Sequence, residues 1–350
     1  MIRMLRSSYF TTKHSYLIVY CVLLSALIFG CKASSDHDAY GYMPEPGAEG
    51  ATYGSGSLEA VSIAIATTIL HPDPLILPVW LDYHLRWVQH VVVYMDDPAE
   101  RPVFEQICGN RPVTLFDGSR DSPKMTPESR LIMRQVVNME HAISFLRERG
   151  FTWLLHIDTD ELVYGPGGPE GWAWATDPDV GLVNLVNHEV LPVAFDTHAP
   201  FTDCTYFWVN GVDHNKRFMA YGNGKSAVRL GPGVEPQGPH NFSGHAGRTL
   251  APPGDQVMIL HYPHPSYESW LRKFQLYGRF SDFWFGDKRA PKIIDFMRES
   301  RDVVSKARKT GNWEVARKFF AKRVLSENAR EKAIKKGKMR RYNPLADPDR

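Results

Sequence analysis

Three acidic residues in the middle of the chain have the types and the spacing that metal and phosphate chemistry require. Asp158 and Asp160 flank Thr159, and Glu161 follows them, directly after the apolar run FTWLLHI. In an extended chain side chains alternate with period two, so both aspartates point to the same side. Hard divalent cations such as Mg²⁺ and Mn²⁺ prefer oxygen ligands and often complete their coordination with substrate phosphates. The pattern predicts a buried strand that ends in a metal and diphosphate site; acids that merely terminate a strand are the alternative.

A second acidic pair, Asp96 and Asp97, follows the apolar run HVVVYM and precedes Pro98. A carboxylate in this position can bind the ring or the ribose hydroxyls of a nucleoside, but Asp beside Pro serves an ordinary turn equally well. Ligands of open α/β sheets lie beyond the carboxyl ends of the strands. If both runs belong to one such sheet, the two acidic clusters meet at a single site.

Basic and imidazole side chains farther along the chain have types that suit an anionic ligand. Lys225 follows Gly224 at the start of a strand-like segment and can neutralise phosphate. His240 and His245 lie in a glycine-rich stretch, and His261 ends the apolar run VMILH. Each histidine can bind a metal ion or a phosphate, or can simply be a structural residue.

The segments that must position these residues alternate between strand and helix character. Apolar β-branched runs predict strands at 60–70, 90–95, 113–116 and 151–157. Apolar residues at helical spacing, with capping signals at the ends, predict helices at 77–89 and 128–149. This order predicts an α/β fold with a largely parallel sheet. Two further helices are predicted at 292–309 and 313–336.

Composition and charge are those of a folded protein with a basic C-terminal extension. Hydrophobic residues make up 43% of the 350 residues and charged residues 23%, which is ordinary for a globular chain. The net charge is only +2, yet residues 288–341 contain 19 Lys and Arg against 6 Asp and Glu. Such a tail contacts nucleic acid or anionic lipid, or is a solvated helix surface. We expect no nucleic-acid partner.

The N-terminal end predicts a membrane segment. Arg3, Arg6 and Lys13 precede the uncharged run 16–30, which as a helix spans about 22 Å against a hydrocarbon core of about 30 Å. An uncleaved single-pass type II anchor, with the body in the lumen of the Golgi or secretory pathway, is the favoured interpretation. A cleaved signal peptide and a bacterial lipoprotein signal ending at Cys31 are the alternatives. The predicted organisation is an anchor or signal segment at 1–31, a flexible stem at 32–57, a catalytic domain at 58–285 and a basic helical extension at 286–350.

Six short motifs occur in an order that resembles the family 2-like and family 92-like glycosyltransferases. They are WLDYH at 80–84, HVVVYMDD at 90–97, IDTDEL at 157–162, GKS at 224–226, HNF at 240–242 and HY at 261–262. The resemblance spans about residues 62–279. It implies a GT-A fold, transfer of a hexosyl group from a nucleotide-sugar donor to a glycan or glycoprotein acceptor, Mn²⁺ or Mg²⁺ as cofactor, and inversion at the anomeric carbon. The chain departs from the pattern at 69–72, where the family often has Asn-Glu, and at Leu162, where Phe is more usual.

The resemblance also implies roles for individual residues. Thr67, Asp96 and Asp97 would contact the nucleoside. Asp158 and Asp160 would bind the metal and the diphosphate, with Lys225 or His261 at the phosphates and His261 as a candidate third metal ligand.

An inverting transfer needs a general base for the acceptor hydroxyl. Glu161, Glu189, Asp196 and Asp203 are the acids downstream of the metal motif within plausible reach of it, and Glu161 is the candidate adjoining that motif. Glu161 can equally be a structural or supporting group.

Two other functions fit part of the pattern. A metal-dependent phosphoesterase or nuclease uses the same carboxylates, usually with more acids and histidines around two metal ions. A non-catalytic carbohydrate-binding protein would retain the fold with a degenerate site, and the presence of both Asp158 and Asp160 argues against that.

Overall fold

The computed structural model describes residues 61–118, 127–165, 172–211, 213–254, 256–277 and 295–346. These residues belong to a compact unit that runs from Val61 to Arg350. The predicted anchor and stem lie outside the described residues, as do the predicted domain boundaries at 57/58 and 285/286. Those assignments stay predictions.

The described secondary structure alternates strands and helices up to residue 156, consists mostly of strands from there to residue 261, and is mostly helical after that. The strands are β1 (Ile63–Ile69), β2 (His90–Met95), β3 (Val113–Asp117), β4 (Trp153–His156), β5 (Glu161–Tyr164), β6 (Val180–Leu185), β7 (Asn187–Val190), β8 (Tyr206–Trp208), β9 (Lys225–Arg229), β10 (Glu235–Pro236), β11 (Phe242–Ser243), β12 (Arg248–Leu250), β13 (Met258–His261) and β14 (Met339–Arg341). The helices are α1 (Leu77–His84), α2 (Arg101–Cys108), α3 (Pro127–Glu148), α4 (Pro200–Asp203), α5 (Tyr267–Tyr277), α6 (Asp295–Thr310), α7 (Glu314–Ala321) and α8 (Glu327–Lys335).

The larger sheet carries most of the fold. Its strand order in the described residues is β12-β6-β9-β4-β1-β2-β3. Strands β4, β1, β2 and β3 are parallel neighbours, and β9 runs antiparallel between β4 and β6. The carboxyl ends of β1, β2 and β4 therefore lie at one edge, as the sequence predicts for a site shared by the two acidic clusters.

The described residues also form a second, smaller sheet. Its order is β14-β8-β7-β13-β5, with β13 and β7 parallel and the other pairs antiparallel. The chain passes from β4 of the larger sheet to β5 of the smaller one through residues 157–160. The predicted metal motif is thus the crossing segment between the two sheets.

Both faces of the larger sheet are covered. Ile63 and Ile65 of β1 belong to the core cluster under α1 and α2, whereas Ala64 and Ala66 belong to the cluster under α3. Small alanines on the α3 side allow the helix to pack closely against the strand. A third cluster joins α5, α6 and α7, and β14 extends the smaller sheet by pairing with β8.

The predicted fold class is confirmed: the chain has a mixed, largely parallel sheet flanked by helices, followed by C-terminal helices. Three details differ from the sequence prediction. The helix expected at 77–89 ends at His84. Helix α2 (Arg101–Cys108) was not predicted. The helix expected at 313–336 divides into α7 and α8, because the Ser326 side chain accepts a hydrogen bond from the Ala329 amide at 3.4 Å and caps a new helix.

No helix in the ranges described is both long and apolar enough to cross a membrane. The thiols of Cys108 and Cys204 are buried and do not form a disulfide.

Side chains of α1 satisfy the outer edge of β5. Strand β5 ends the smaller sheet, so one of its edges has no strand neighbour among the described residues. The Trp80 indole donates to the Glu161 carbonyl at 2.7 Å, and the Tyr83 hydroxyl donates to the Val163 carbonyl at 2.8 Å. His84 Nε2 accepts from the Val163 amide at 3.3 Å. The WLDYH motif therefore closes a strand edge and fixes the backbone of the neighbouring acids.

The hydrogen bonds of His84 require its imidazole to be neutral. Its Nδ1 donates to the Trp80 carbonyl at 2.9 Å while Nε2 accepts, which requires a single tautomer. Burial lowers the pKa of His84 from 6.5 to about 3. Below pH 6.5 the unfolded chain binds a proton at His84, whereas the folded chain does not. The contribution of neutral His84 to the free energy of unfolding is therefore fully present above pH 6.5 and is lost as the pH falls toward 3.

We predict that His84→Gln lowers the free energy of unfolding at pH 7.5 by about 1–3 kcal/mol, because the buried Trp80 carbonyl and Val163 amide lose the imidazole as their hydrogen-bond partner. Between pH 7.5 and 5.5 the wild-type chain should lose about 1.4 kcal/mol more stability than the variant, since one titrating group is removed. Urea unfolding at both pH values measures this. Exposed His198→Gln is the control, and equal pH losses in wild type and His84→Gln would contradict the assignment.

Candidate functional site

The crossing segment presents two partly exposed carboxylates in buried surroundings. The side chains of Asp158 and Asp160 are 30% and 31% exposed. The backbone of Asp160 is fixed because its carbonyl accepts from the Tyr262 amide at 2.7 Å. The two aspartates predicted to share a site are therefore held on one short, anchored segment at the strand ends.

Lys225 supplies a buried positive charge beneath these acids. Its ammonium lies 2.8 Å from Asp158 Oδ2 and 3.5 Å from Glu161 Oε2, and its side chain is only 1% exposed. Burial alone would raise the pKa of Asp158 and lower that of Lys225. Their mutual attraction outweighs burial, so the pKa of Asp158 lies below its usual value and that of Lys225 above. The pair is ionised.

Glu161 is the most enclosed acid of the motif. Its carboxylate is fully buried. Its Oε2 accepts from the Asp158 amide at 2.8 Å, and the Tyr221 hydroxyl donates to its Oε1. Burial, with repulsion from Asp158 and Asp160, outweighs attraction to Lys225 and raises the pKa of Glu161 to about 8. These contacts make Glu161 a residue that shapes the Asp158 backbone.

A short loop before β9 positions Tyr221 and Lys225 together. Buried Asn187 donates to the Tyr221 carbonyl at 2.7 Å and accepts from the Gly224 amide at 3.1 Å. Gly224 has a φ of +67°, and a Cβ at this position would collide with the Leu185 carbonyl. Glycine is therefore required immediately before Lys225. The GKS motif therefore combines a glycine that the backbone conformation requires with a buried lysine.

A second lysine approaches the acids from helix α5. The Lys273 ammonium lies 3.1 Å from Asp160 Oδ2, and its side chain is 30% exposed. Burial opposes the charge, but attraction to Asp160 raises the pKa of Lys273 above its usual value. His261 Nε2 is 3.9 Å from Asp160 Oδ1. Burial lowers the pKa of His261 to about 4, so its imidazole is neutral.

Of the predicted nucleoside residues, Thr67 lies in the second half of β1, and Asp96 and Asp97 directly follow β2. Arg134 of α3 forms an ion pair with Asp96, with 2.5 Å between Nε and Oδ1. Asp97 accepts from the Ala99 amide at 3.0 Å and caps a short turn. The buried Thr67 hydroxyl has no hydrogen-bond partner among the described residues. Asp97 therefore stabilises a turn, and Asp96 is paired with the guanidinium of Arg134.

The four candidate bases divide by exposure. Glu161 and Glu189 are fully buried, and Glu189 accepts from the Met219 amide and, at 3.0 Å, from the Ala220 amide. Burial outweighs these hydrogen bonds and raises the pKa of Glu189 to about 8. Asp196 and Asp203 are exposed.

The donor chemistry of the site fits a divalent cation in part. The described ranges contain no group of three or more His, Cys, Asp and Glu side chains already arranged around a metal position. Each aspartate, however, accepts its lysine hydrogen bond at Oδ2. Asp158 Oδ1 accepts from the Gln135 amide group at 3.3 Å, and Asp160 Oδ1 faces neutral His261. Two carboxylate oxygens suit Mn²⁺ or Mg²⁺, with water and phosphate as further ligands, and neutral His261 offers a nitrogen as a third protein ligand.

Sequence reasoning missed several residues that the fold brings to the acids. They are Gln135 and Arg134 on α3, Asn187 on β7, Tyr221 in the loop before β9, and Lys273 on α5. The helix that carries Lys273 has a periodic signal, because Trp270, Phe274 and Tyr277 predict an aromatic face on it. That pattern did not indicate that Lys273 reaches Asp160.

Two relatives in Arabidopsis thaliana, both named glycosyltransferase-like, are similar to this chain in sequence. One is 28% identical over 159 residues, which is 39% of this chain and 30% of the relative. The other is 28% identical over 230 residues, which is 54% of this chain and 51% of the relative. The chain thus spans about half, or less, of the length of these relatives. No protein-family model matches it. The resemblance to glycosyltransferases seen in the motifs is confirmed by these relatives.

Solved structures overlap the chain only loosely. GalNAc-T7, crystallised with UDP, GalNAc and Mn²⁺, superposes with a TM-score of 0.34 at 11% identity, covering 70% of this chain and 54% of that one. A 4-diphosphocytidyl-2C-methyl-D-erythritol synthase from Anaerococcus prevotii gives 0.29 at 11% identity, covering 49% and 72%. Overlaps of this size carry no functional argument.

We predict that Lys225→Met destabilises the chain by about 3–5 kcal/mol, because it leaves the Asp158 carboxylate without its buried counter-charge. Adding Asp158→Asn should recover at least about 1 kcal/mol. Urea unfolding of the two single variants and the double variant measures this coupling. Exposed Lys216→Met, which removes a surface pair with Asp213, should cost less than about 1 kcal/mol. If the loss of unfolding free energy in the double variant equals the sum of the losses in the two single variants, the pairing of Lys225 with Asp158 is contradicted.

Proposed function

We propose that this protein is a metal-dependent glycosyltransferase of GT-A type, which transfers a hexosyl group from a nucleoside-diphosphate donor to a glycan or glycoprotein acceptor with inversion. The observation that carries the proposal is the pair Asp158 and Asp160, partly exposed at the strand ends and held between two lysines. The glycosyltransferase-like relatives support the reaction class. Donor sugar class, acceptor and stereochemistry rest on the resemblance of the motifs.

The charges of the site suit a metal–diphosphate complex. Asp158 and Asp160 contribute two negative charges, and Lys225 and Lys273 balance them. A divalent cation would be held by oxygens of the two aspartates and by His261, and when bound it would neutralise the diphosphate as it leaves. A metal cation and a diphosphate can therefore enter together without leaving a large unbalanced charge in a partly buried site.

The nucleoside of the donor is proposed to lie over the ends of β1 and β2. Thr67 offers a hydroxyl without a partner in the described part of the chain. Asp96 is oriented by Arg134, and Asp97 lies beside it at the turn. Because β1 is the neighbour of both β2 and β4, these residues and the aspartates can contact one extended ligand.

The chain's own residues would prepare the site by positioning. Glu161 holds the Asp158 amide, and Tyr221 holds Glu161. Because Glu161 and Glu189 are enclosed by hydrogen bonds, we propose that the base that takes the acceptor proton is one of the exposed acids, Asp196 or Asp203. The single-pass type II anchor at 16–30 and the Golgi location remain part of the proposal.

Calorimetric titration of the full-length chain in detergent with a panel of nucleotide sugars, with Mn²⁺ and with EDTA, tests the function. We expect binding of one donor class in Mn²⁺ and its loss in EDTA. Binding of no nucleotide under either condition would overturn the proposal. Hydrolysis of a phosphodiester to a phosphomonoester and an alcohol would favour the phosphoesterase, and sugar binding without turnover would favour the non-catalytic protein.

We predict that Asp160→Asn lowers donor hydrolysis and transfer at least about 100-fold, because a preorganised electrostatic contact to the leaving group is lost. The fold should remain, as judged by an unchanged circular dichroism spectrum. Asp213→Asn is the matched control, since Asp213 is exposed and has a φ of +68° that asparagine accepts readily. Wild-type turnover of Asp160→Asn in Mn²⁺ would show that the assignment is wrong.

A further inference from the structure

Two lysines contact the acidic pair, and they differ in what else they can reach. The Lys225 ammonium faces Asp158 and Glu161 from a side chain that is 1% exposed. The Lys273 ammonium contacts Asp160 from a side chain that is 30% exposed. A lysine ammonium has three donors, so Lys273 can keep its bond to Asp160 and still donate to a ligand. Lys225 would have to leave its buried partners to do so.

The position of Lys273 is fixed by the packing of its helix. On α5, Trp270 is fully buried and donates to the Ser300 hydroxyl of α6 at 3.0 Å. Phe274, one helical turn later, is also fully buried. These two residues hold α5 against the C-terminal helices while Lys273 contacts the crossing segment. Its ammonium is therefore placed by the core of the protein.

The electrostatics of the site require such a group. A diphosphate that approaches Asp158 and Asp160 meets two carboxylates of its own charge, so it needs cations within contact distance. An ammonium at 3.1 Å from Asp160 Oδ2 lies at the aspartate that also faces His261. Ion pairs with phosphate are stronger where water is partly excluded, as it is at this site.

We propose that Lys273 is a diphosphate-binding residue, which contacts the phosphate oxygens of the donor while its bond to Asp160 orients it. This inference rests on the proposed function and adds a specificity: the site prefers a diphosphate to a monophosphate because α5 supplies a second, accessible cation. It also gives the C-terminal helices a role in donor binding, since they position α5.

Arg272 is the matched control for this residue. It is adjacent on the same helix and carries the same charge, but its side chain is 63% exposed and its guanidinium lies 3.9 Å from Asp73. A variant at Arg272 therefore changes the net charge of α5 equally without touching the acidic pair.

The test titrates the full-length chain in Mg²⁺ with inorganic pyrophosphate and with inorganic phosphate, using wild type, Lys273→Ala, Lys273→Arg and Arg272→Ala. We predict that Lys273→Ala weakens pyrophosphate binding about tenfold or more, which is the size of one charge-assisted contact. Phosphate binding should change less, Lys273→Arg should recover part of the loss, and Arg272→Ala should match wild type. Melting temperatures verify that each variant is folded.

The outcomes separate the two proposals. If wild type binds pyrophosphate and Lys273→Ala binds it equally well, Lys273 only neutralises Asp160 and the inference is overturned, while the proposed function stands. An equal loss in Arg272→Ala overturns it as well, because the effect is then one of general charge. If the wild-type chain binds neither pyrophosphate nor any nucleotide sugar, the proposed function and the inference both fail.

Discussion

The buried ammonium of Lys225 is the constraint on which the site depends. A positive charge that is almost wholly removed from water is stable only beside a negative partner, and the ionised Asp158 carboxylate supplies it at 2.8 Å. This requirement fastens β9 of the larger sheet to the segment where the chain crosses into the smaller sheet. The glycine before Lys225 and the Asn187 side chain serve the same end, since both fix the backbone from which the lysine extends. The arrangement of acids is thus a consequence of where one cation is buried.

A second constraint comes from the edge of β5. A strand edge that lacks a neighbour exposes backbone groups that need partners. Helix α1 supplies them with the side chains of Trp80, Tyr83 and His84. Because β5 begins with Glu161, the same contacts hold the motif in place from its C-terminal side. The WLDYH string therefore supports the site without belonging to it.

The parts of the fold that local patterns encode were predictable from sequence. The strand at 90–95 and the helix at 128–149 agree with β2 and α3 because apolar runs and capping residues specify them within a short window. The placement of Asp96 and the Asp158 segment at the same edge of the sheet followed from the rule for parallel strands. Helix α2 was not predicted: its buried residues, Phe104, Ile107 and Cys108, are too few to give a clear pattern.

Contacts between distant segments were not predictable in the same way. Lys273 is 113 positions from Asp160, and Tyr221 reaches Glu161 from a loop. Neither contact leaves a periodic trace, because each depends on how two sheets and a helical layer pack. Lys225 was recognised as a basic residue of the site, but its burial beneath Asp158 could be seen only in three dimensions.

The proposed chemistry requires Asp158 and Asp160 to share one metal ion with the donor diphosphate. The most direct measurement is a crystal structure of the protein with Mn²⁺ and a nucleoside diphosphate that the titrations identify, using anomalous scattering to locate manganese. The account predicts an anomalous peak within coordination distance of oxygens from both aspartates, with the diphosphate completing the coordination and Lys273 in contact with it. A bound nucleotide whose manganese lies away from both aspartates, or no manganese peak at this segment, would contradict it.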